Sequence, residues 1–178
     1  YWAIADSDRC IRDLVESVER AGLADRTTFV VTADHGFITY TKEIAANIVL
    51  REEGLREGQG LRLKQQAYAL SQGGGCFVYI LDPANREAIL ARLAERFRKV
   101  EGVEVVIEPK DFAKFGHQLP SENPHEPDLM LGAADGYSFS GKDDGDAVIL
   151  PTDGPKGSHG YSPFHDLMGA AFVASGAG

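Results

Sequence analysis

The sequence predicts an α/β fold, a mostly parallel central sheet flanked by helices, and three segments carry that expectation. Residues 2–21 place Trp2, Ile4, Ile11, Leu14, Val15 and Val18 at roughly helical spacing and run to Gly22, where a helix ends without strain. TTFVVTA, residues 27–33, is β-branched and apolar without alternation, as in a strand covered on both faces of a parallel sheet. Residues 85–100 turn Ile89, Leu90, Leu93 and Phe97 to one side and arginines to the other. A helix, a short loop and a buried strand in succession form the α/β pattern.

The remaining elements follow in order. KEIAANIVLREEGL, residues 42–55, reads as a short helix ending at Gly54, and REGQG after it as a polar loop. LRLKQQAYAL and CFVYIL read as strands joined by SQGGG, a hairpin turn or flexible loop. GVEVVIEP alternates like a strand, and DLMLGAA is a further candidate strand. Residues 40–125 are expected to form an inserted subdomain on the main sheet.

A chain of 178 residues supports one domain with a real core, and 43% hydrophobic with 25% charged residues excludes disorder. The net charge of −9 argues against a broad nucleic-acid surface. A small phosphorylated substrate stays possible, because a bound cation reverses the local field. Cys10 and Cys76 alone indicate neither a zinc ribbon nor a disulfide framework. No apolar run approaches the length of a membrane span. Starting without Met inside a helix and stopping just after FVASG, the sequence reads as a piece of a longer protein. The lack of a leader therefore says nothing of export, and extracytoplasmic and cytoplasmic locations both stay open.

Two segments point to chemistry. Asp34 and His35 close the apolar strand in TTFVVTADHGF, where the loops at strand ends of α/β sheets carry sites. His159 lies in GPKGSHGY. Carboxylate and imidazole suit zinc or a similar divalent ion, and a glycine beside each histidine lets the backbone bend so that the side chains converge. The bland alternatives are a turn-capping Asp34 and ordinary loop histidines.

TADHGF, followed at long range by GSHGY and the apolar FVASG, resembles the alkaline phosphatase superfamily in its type I phosphodiesterase/nucleotide pyrophosphatase branch. The approach AGLADRTTFVVTADHG fits as well. The resemblance is strong over residues 25–37 and 157–175 and weak between them. It implies an alkaline-phosphatase-like catalytic domain of which this chain is the C-terminal part, incomplete at the N-terminal side. It further implies two divalent ions, zinc by preference: Asp34 and His35 on the ion that activates the nucleophile, His159 on the other. The branch's Thr or Ser nucleophile and its remaining ligands map upstream of residue 1, so no catalytic residue is assigned in this chain, which is expected to be inactive by itself.

Asp6 and Asp8 sit on the first helix and are no substitutes, and Ser158 and Thr39 read as turn residues. His165 in SPFHDLM is the candidate substrate contact, whereas His117 and His125 read as surface histidines in Pro-rich loops. Lys142 to Asp146 lacks the glycine and glutamate spacing of an EF-hand, and SQGGGC lacks the Lys-Ser/Thr of a phosphate loop. The function implied by the resemblance is hydrolysis of phosphodiester or pyrophosphate bonds in nucleotide-like or other small substrates. Phosphomonoesterase, phosphonate hydrolase and sulfatase activities are its neighbours in the superfamily. A non-catalytic metal-binding fragment is the rival from another class.

Overall fold

The computed structural model describes residues 1–58 and 62–177. Its helices are α1 (Trp2–Arg20), α2 (Ala46–Glu52) and α3 (Arg86–Phe97). Its strands, in chain order, are β1 (Thr28–Thr32), β2 (Ile38–Ala45), β3 (Arg56–Glu57), β4 (Lys64–Gln65), β5 (Ala67–Gln72), β6 (Gly75–Ile80), β7 (Val103–Ile107), β8 (Leu129–Ala133), β9 (Gly136–Ser140), β10 (Ile149–Ser158) and β11 (Phe172–Gly176). Gln59 and Gly60 of the expected REGQG loop, and Leu61 at the head of the expected strand LRLKQQAYAL, lie outside the described residues. The chain divides into two compact units, residues 1–36 with those from 170 onward, and residues 37–169.

In the first unit, α1 carries ion pairs one turn apart, Arg12 with Asp8 and Arg20 with Glu16 at 3.2 Å each. It ends where the sequence says it should. Gly22, at φ +68°, donates its N–H to Glu19 O and Leu23 donates to Val18 O, the paired bonds of a Schellman motif that satisfy carbonyls left over by the last turn. β1 then pairs antiparallel with β11 from Thr28 opposite Gly176 to Thr32 opposite Phe172. No residue of α1, β1 or β11 is buried.

The second unit holds the core. β5, β6, β8 and β7 form an antiparallel sheet in that order, and β10, β2 and β9 form a mixed one, β2 running antiparallel to β10 and parallel to β9. On one face of the four-stranded sheet α3 buries Ile89, Leu93, Ala94 and Phe97 in a cluster with Val78, Ile80, Leu129 and Leu131. On the other, the 3-10 helix Pro109–Phe115 brings Phe112 against Ile107 and Met130. Covered on both faces, β8 is buried along its whole length, which is why DLMLGAA reads as a continuous apolar run. Two buried polar side chains fasten the parts. Asn47 of α2 clasps β5, donating to Ala69 O at 2.9 Å and accepting from Ala69 N at 3.1 Å. Asp128 accepts from Ile80 N at 2.7 Å and pairs with Arg86 at 2.9 Å, tying α3 to the sheet.

The α/β class holds, with one correction of detail. Parallel pairing, expected to predominate, is confined among the described residues to β2 with β9; the other strand pairs are antiparallel. In β8 the unbroken apolar run reports burial on two faces, not the direction of the neighbouring strand, and the similar run in β1, expected to be covered on both faces, is not buried within this chain. The two-residue turn between Gln72 and Gly75 leaves only antiparallel pairing open to β5 and β6. The segment 42–55 also differs from its reading as one helix. Its first four residues finish β2, and α2 runs from Ala46 to a second Schellman ending at Gly54, φ +69°.

Candidate functional site

The expected ligands fall in both units, and each place has its own local geometry. Asp34 and His35 follow β1 directly. The Asp34 carboxylate is held back on the chain, its Oδ1 accepting the His35 N–H at 3.1 Å. The His35 ring is oriented by its own neighbour, Nδ1–H donating to Gly36 O at 2.8 Å. That bond places the proton on Nδ1 and the lone pair on Nε2, as in metal-binding histidines whose second nitrogen donates to a carbonyl. Nε2 then stands 3.4 Å from Asp34 Oδ2. Two ligand atoms on one tetrahedral zinc, each about 2.1 Å from it, are separated by about 3.4 Å. The separation therefore matches that of two adjacent corners of a zinc coordination sphere.

His159 lies in the second unit, just past β10. Its carbonyl accepts the Gly74 N–H at 2.7 Å, from the turn between β5 and β6. Its ring lies 6.3 Å from that of Phe37, tilted by 45°. The chain on its far side is pinned by Tyr161, whose hydroxyl donates to Tyr137 O at 2.6 Å and is pushed up to about 12 by burial, with Tyr40 and Asp135 adding to the effect. Within each unit by itself, the described residues do not gather three or more histidine, cysteine or carboxylate side chains able to hold an ion.

His165 is engaged at both nitrogens. Nδ1 accepts the Leu167 N–H at 3.1 Å, so the proton sits on Nε2, which donates to Asp135 Oδ1 at 2.9 Å. Asp135, absent from the sequence-based set, is thus the partner that orients this histidine. His117 pairs with Glu126 at 2.9 Å and lines an apolar cleft of about 170 Å³ with Phe77, Phe115 and Met130, while His125 is an exposed loop residue. Asp6 and Asp8 serve as surface ion-pair partners of Arg9 and Arg12, as their helical position implies. Asp143 and Asp146 are held by Arg56 and Arg51, which makes the acidic loop a tether rather than a cation site. Both cysteines are free thiols, and burial raises Cys76 far above the ordinary range.

Residues 1–162, the stretch that contains Asp34, His35 and His159, match the family described as type I phosphodiesterase/nucleotide pyrophosphatase. The chain belongs to that family. Solved structures agree on its fold. Murine ectonucleotide pyrophosphatase/phosphodiesterase 5 superposes with a TM-score of 0.66 at 17% identity, over 96% of this chain and 39% of that one. The human protein of the same name gives 0.67 at 16%, over 97% and 40%. Phosphonoacetate hydrolase from Sinorhizobium meliloti 1021, solved with phosphonoacetate, gives 0.57 at 21%, over 88% and 37%. The fold is the alkaline-phosphatase-like one, and the chain spans roughly two-fifths of the length of these relatives. None of the curated proteins compared with the chain matches it significantly. His165 lies beyond the matched stretch of the type I phosphodiesterase family. No helix among the described residues is long and apolar enough to cross a membrane.

Proposed function

We propose that the whole protein hydrolyses phosphodiester or pyrophosphate bonds in nucleotide-like or other small phosphorylated substrates. The reaction uses two divalent ions, zinc by preference, and a Thr or Ser nucleophile that lies outside these 178 residues. The observation that carries this reading is the Asp34–His35 pair, two donors 3.4 Å apart within the stretch that matches the family. Asp34 and His35 would hold one ion and His159 the other. Ions so bound polarise a phosphoryl oxygen, lower the pKa of an attacking hydroxyl and neutralise the leaving alkoxide.

The chain's own residues do the rest of what is assigned to this part of the protein. The Asp34 carboxylate would offset cationic charge, and the Gly36 carbonyl fixes the His35 ring through Nδ1, leaving Nε2 as the nitrogen on the Asp34 side. On a chain of net charge −9, cations also supply the attraction for an anionic substrate. His165 is the candidate substrate contact, and a nitrogen contact there requires the substrate to displace Asp135 or the Leu167 N–H.

Cleavage of a chromogenic phosphodiester by the full-length protein should exceed cleavage of the matching monoester, vanish on chelation and return with zinc. Asp34→Asn should lower kcat/KM by at least about a hundredfold, the scale on which even residues behind the metal ligands act. The likeness to phosphonoacetate hydrolase supports a second reading, carbon–phosphorus cleavage. Release of phosphate from phosphonoacetate faster than diester cleavage would favour it. No turnover of any of these by a zinc-loaded protein would leave the non-catalytic reading standing.

A further inference from the structure

We propose that the glycine run Gly73–Gly74–Gly75 is the positioning element for His159, a backbone cradle whose shape fixes where that imidazole starts. The inference rests on the reading of His159 as a metal ligand. Three glycines in a row ordinarily signal a flexible connection, and the structure shows the opposite. The turn is anchored at its back, Gly73 O accepting from Phe139 N at 2.7 Å and Gly74 O accepting from Ala133 N at 2.8 Å. Those bonds fasten it to β9 and β8. At its front the Gly74 N–H donates to His159 O at 2.7 Å. A rigid sheet thereby reaches the ligand residue through two peptide units.

Turn geometry accounts for only one of the three glycines. Gly73 has φ +75°, while Gly74 and Gly75 are not in the left-handed region. A two-residue hairpin with this pattern requires glycine at its first central position alone. What excludes a side chain at the other two is the His159 segment itself. A Cβ on Gly74 would lie 2.2 Å from the Tyr161 ring, and one on Gly75 would lie 2.7 Å from Gly160 O. At Gly73 it would meet Ser158 Oγ at 2.3 Å and His159 O at 2.5 Å. The fit is mutual, since a Cβ on Gly160 would come within 2.0 Å of Gln72 O. By contrast Gly54, which shares the positive φ, has nothing within 4 Å of its would-be Cβ. Two backbones are therefore in contact along residues 72–75 and 158–161, a closeness that only glycine permits. In the active protein this contact sets the origin of the His159 side chain, as outer contacts of metal ligands set ligand direction.

The test uses the full-length zinc protein and measures zinc affinity against a competing chelator, with cooperative unfolding as the check on folding. Gly75→Ala is the decisive variant, because its backbone is unstrained and the new methyl pushes on Gly160 alone; Gly74→Ala is the stronger one. Each is expected to weaken one of the two ions by about 10–100-fold, and Gly54→Ala, which strains its backbone at φ +69° but brings its methyl against nothing, to leave both unchanged. His159→Ala serves as reference. If it loses one ion while folded Gly75→Ala binds both as wild type does, the cradle is refuted and the ligand reading survives. If His159→Ala keeps both ions, the ligand reading falls and the cradle with it. Hydrogen exchange at the Gly74 amide of the wild-type protein needs no variant. It should slow by about tenfold or more when zinc is added to the stripped protein, as expected when a ligand suppresses local opening. An unchanged rate would also refute the coupling.

Discussion

The two compact units differ in whether they bury apolar side chains within themselves. Residues 37–169 enclose Ile44, Ile48, Leu50, Phe97 and Phe112 completely, whereas in the other unit Val30 remains 55% and Phe172 68% exposed, and Trp2 is almost fully open to solvent. Both units nevertheless bring a candidate ligand to the end of a strand. The difference separates two jobs that a single domain often merges. The unit bearing His159 is organised by its own core. The one bearing Asp34 and His35 is organised by a helix with surface ion pairs and a single strand pairing, so its order draws little on burial within this chain.

The largest effect expected to sharpen that contrast is Phe97→Ala. Removing a fully buried ring at the centre of the larger unit should cost about 3–5 kcal/mol, read by urea denaturation of the 178-residue chain. Val31→Ala in β1 should stay within about 1 kcal/mol, since Val31 is 39% exposed. Equal losses would show that the two units share one cooperative core. A smaller effect is expected from Asp128→Ala. It strips Ile80 N of its acceptor and Arg86 of its partner, at a cost of about 2–3 kcal/mol. A near-neutral result would mean that water replaces the carboxylate and that α3 is held by its apolar face alone.

The smallest effect concerns pH. Lys42 and the Tyr137 hydroxyl hold the Glu101 carboxyl below its ordinary value of 4.5, Lys42 contributing most. A depressed carboxyl stabilises the fold fully above its unfolded value and loses that contribution as pH falls through the folded one. The Tm of wild type should therefore exceed that of Glu101→Gln slightly at neutral pH, and the gap should close as the solution is taken below the carboxylate range. A gap that persists in acid would assign the effect to packing around Tyr137 instead.

Legibility in the sequence varied with the kind of signal. Helix ends were readable because Gly22 and Gly54 serve the same local geometry wherever they occur, and α3 was readable from its spacing. Asp34 and His35 stood out as candidate ligands because strand end and donor chemistry coincide in adjacent residues. The direction of strand pairing was not, since apolar runs carry no sense of orientation. The start of α2 was misplaced because Lys42, Glu43, Ile44 and Ala45 suit a helix as well as a strand; pairing with β9 and β10 decides for the strand. The meaning of SQGGG was hidden for a different reason. A glycine required by a neighbouring backbone and a glycine that merely loosens a loop are spelled alike, and only the approach of residues 158–161 distinguishes them.

One irregularity in β10 has a bearing on how this protein can change. Pro151 stands opposite Lys42 and Lys156 opposite Tyr40, so residues 152–155 face Thr41 alone. Thr152 bridges the gap by donating to Thr41 O at 3.1 Å, and Gly154 turns the excess outward at φ 122°. The pairing resumes in register up to Ser158 opposite Ile38, one residue before His159. Slack in the chain is thus stored upstream of His159 and cancelled before reaching it. A residue inserted or removed at Gly154 should therefore reshape that surface while the pairing of Gly157 with Thr39 and Ser158 with Ile38 keeps the start of His159 in place.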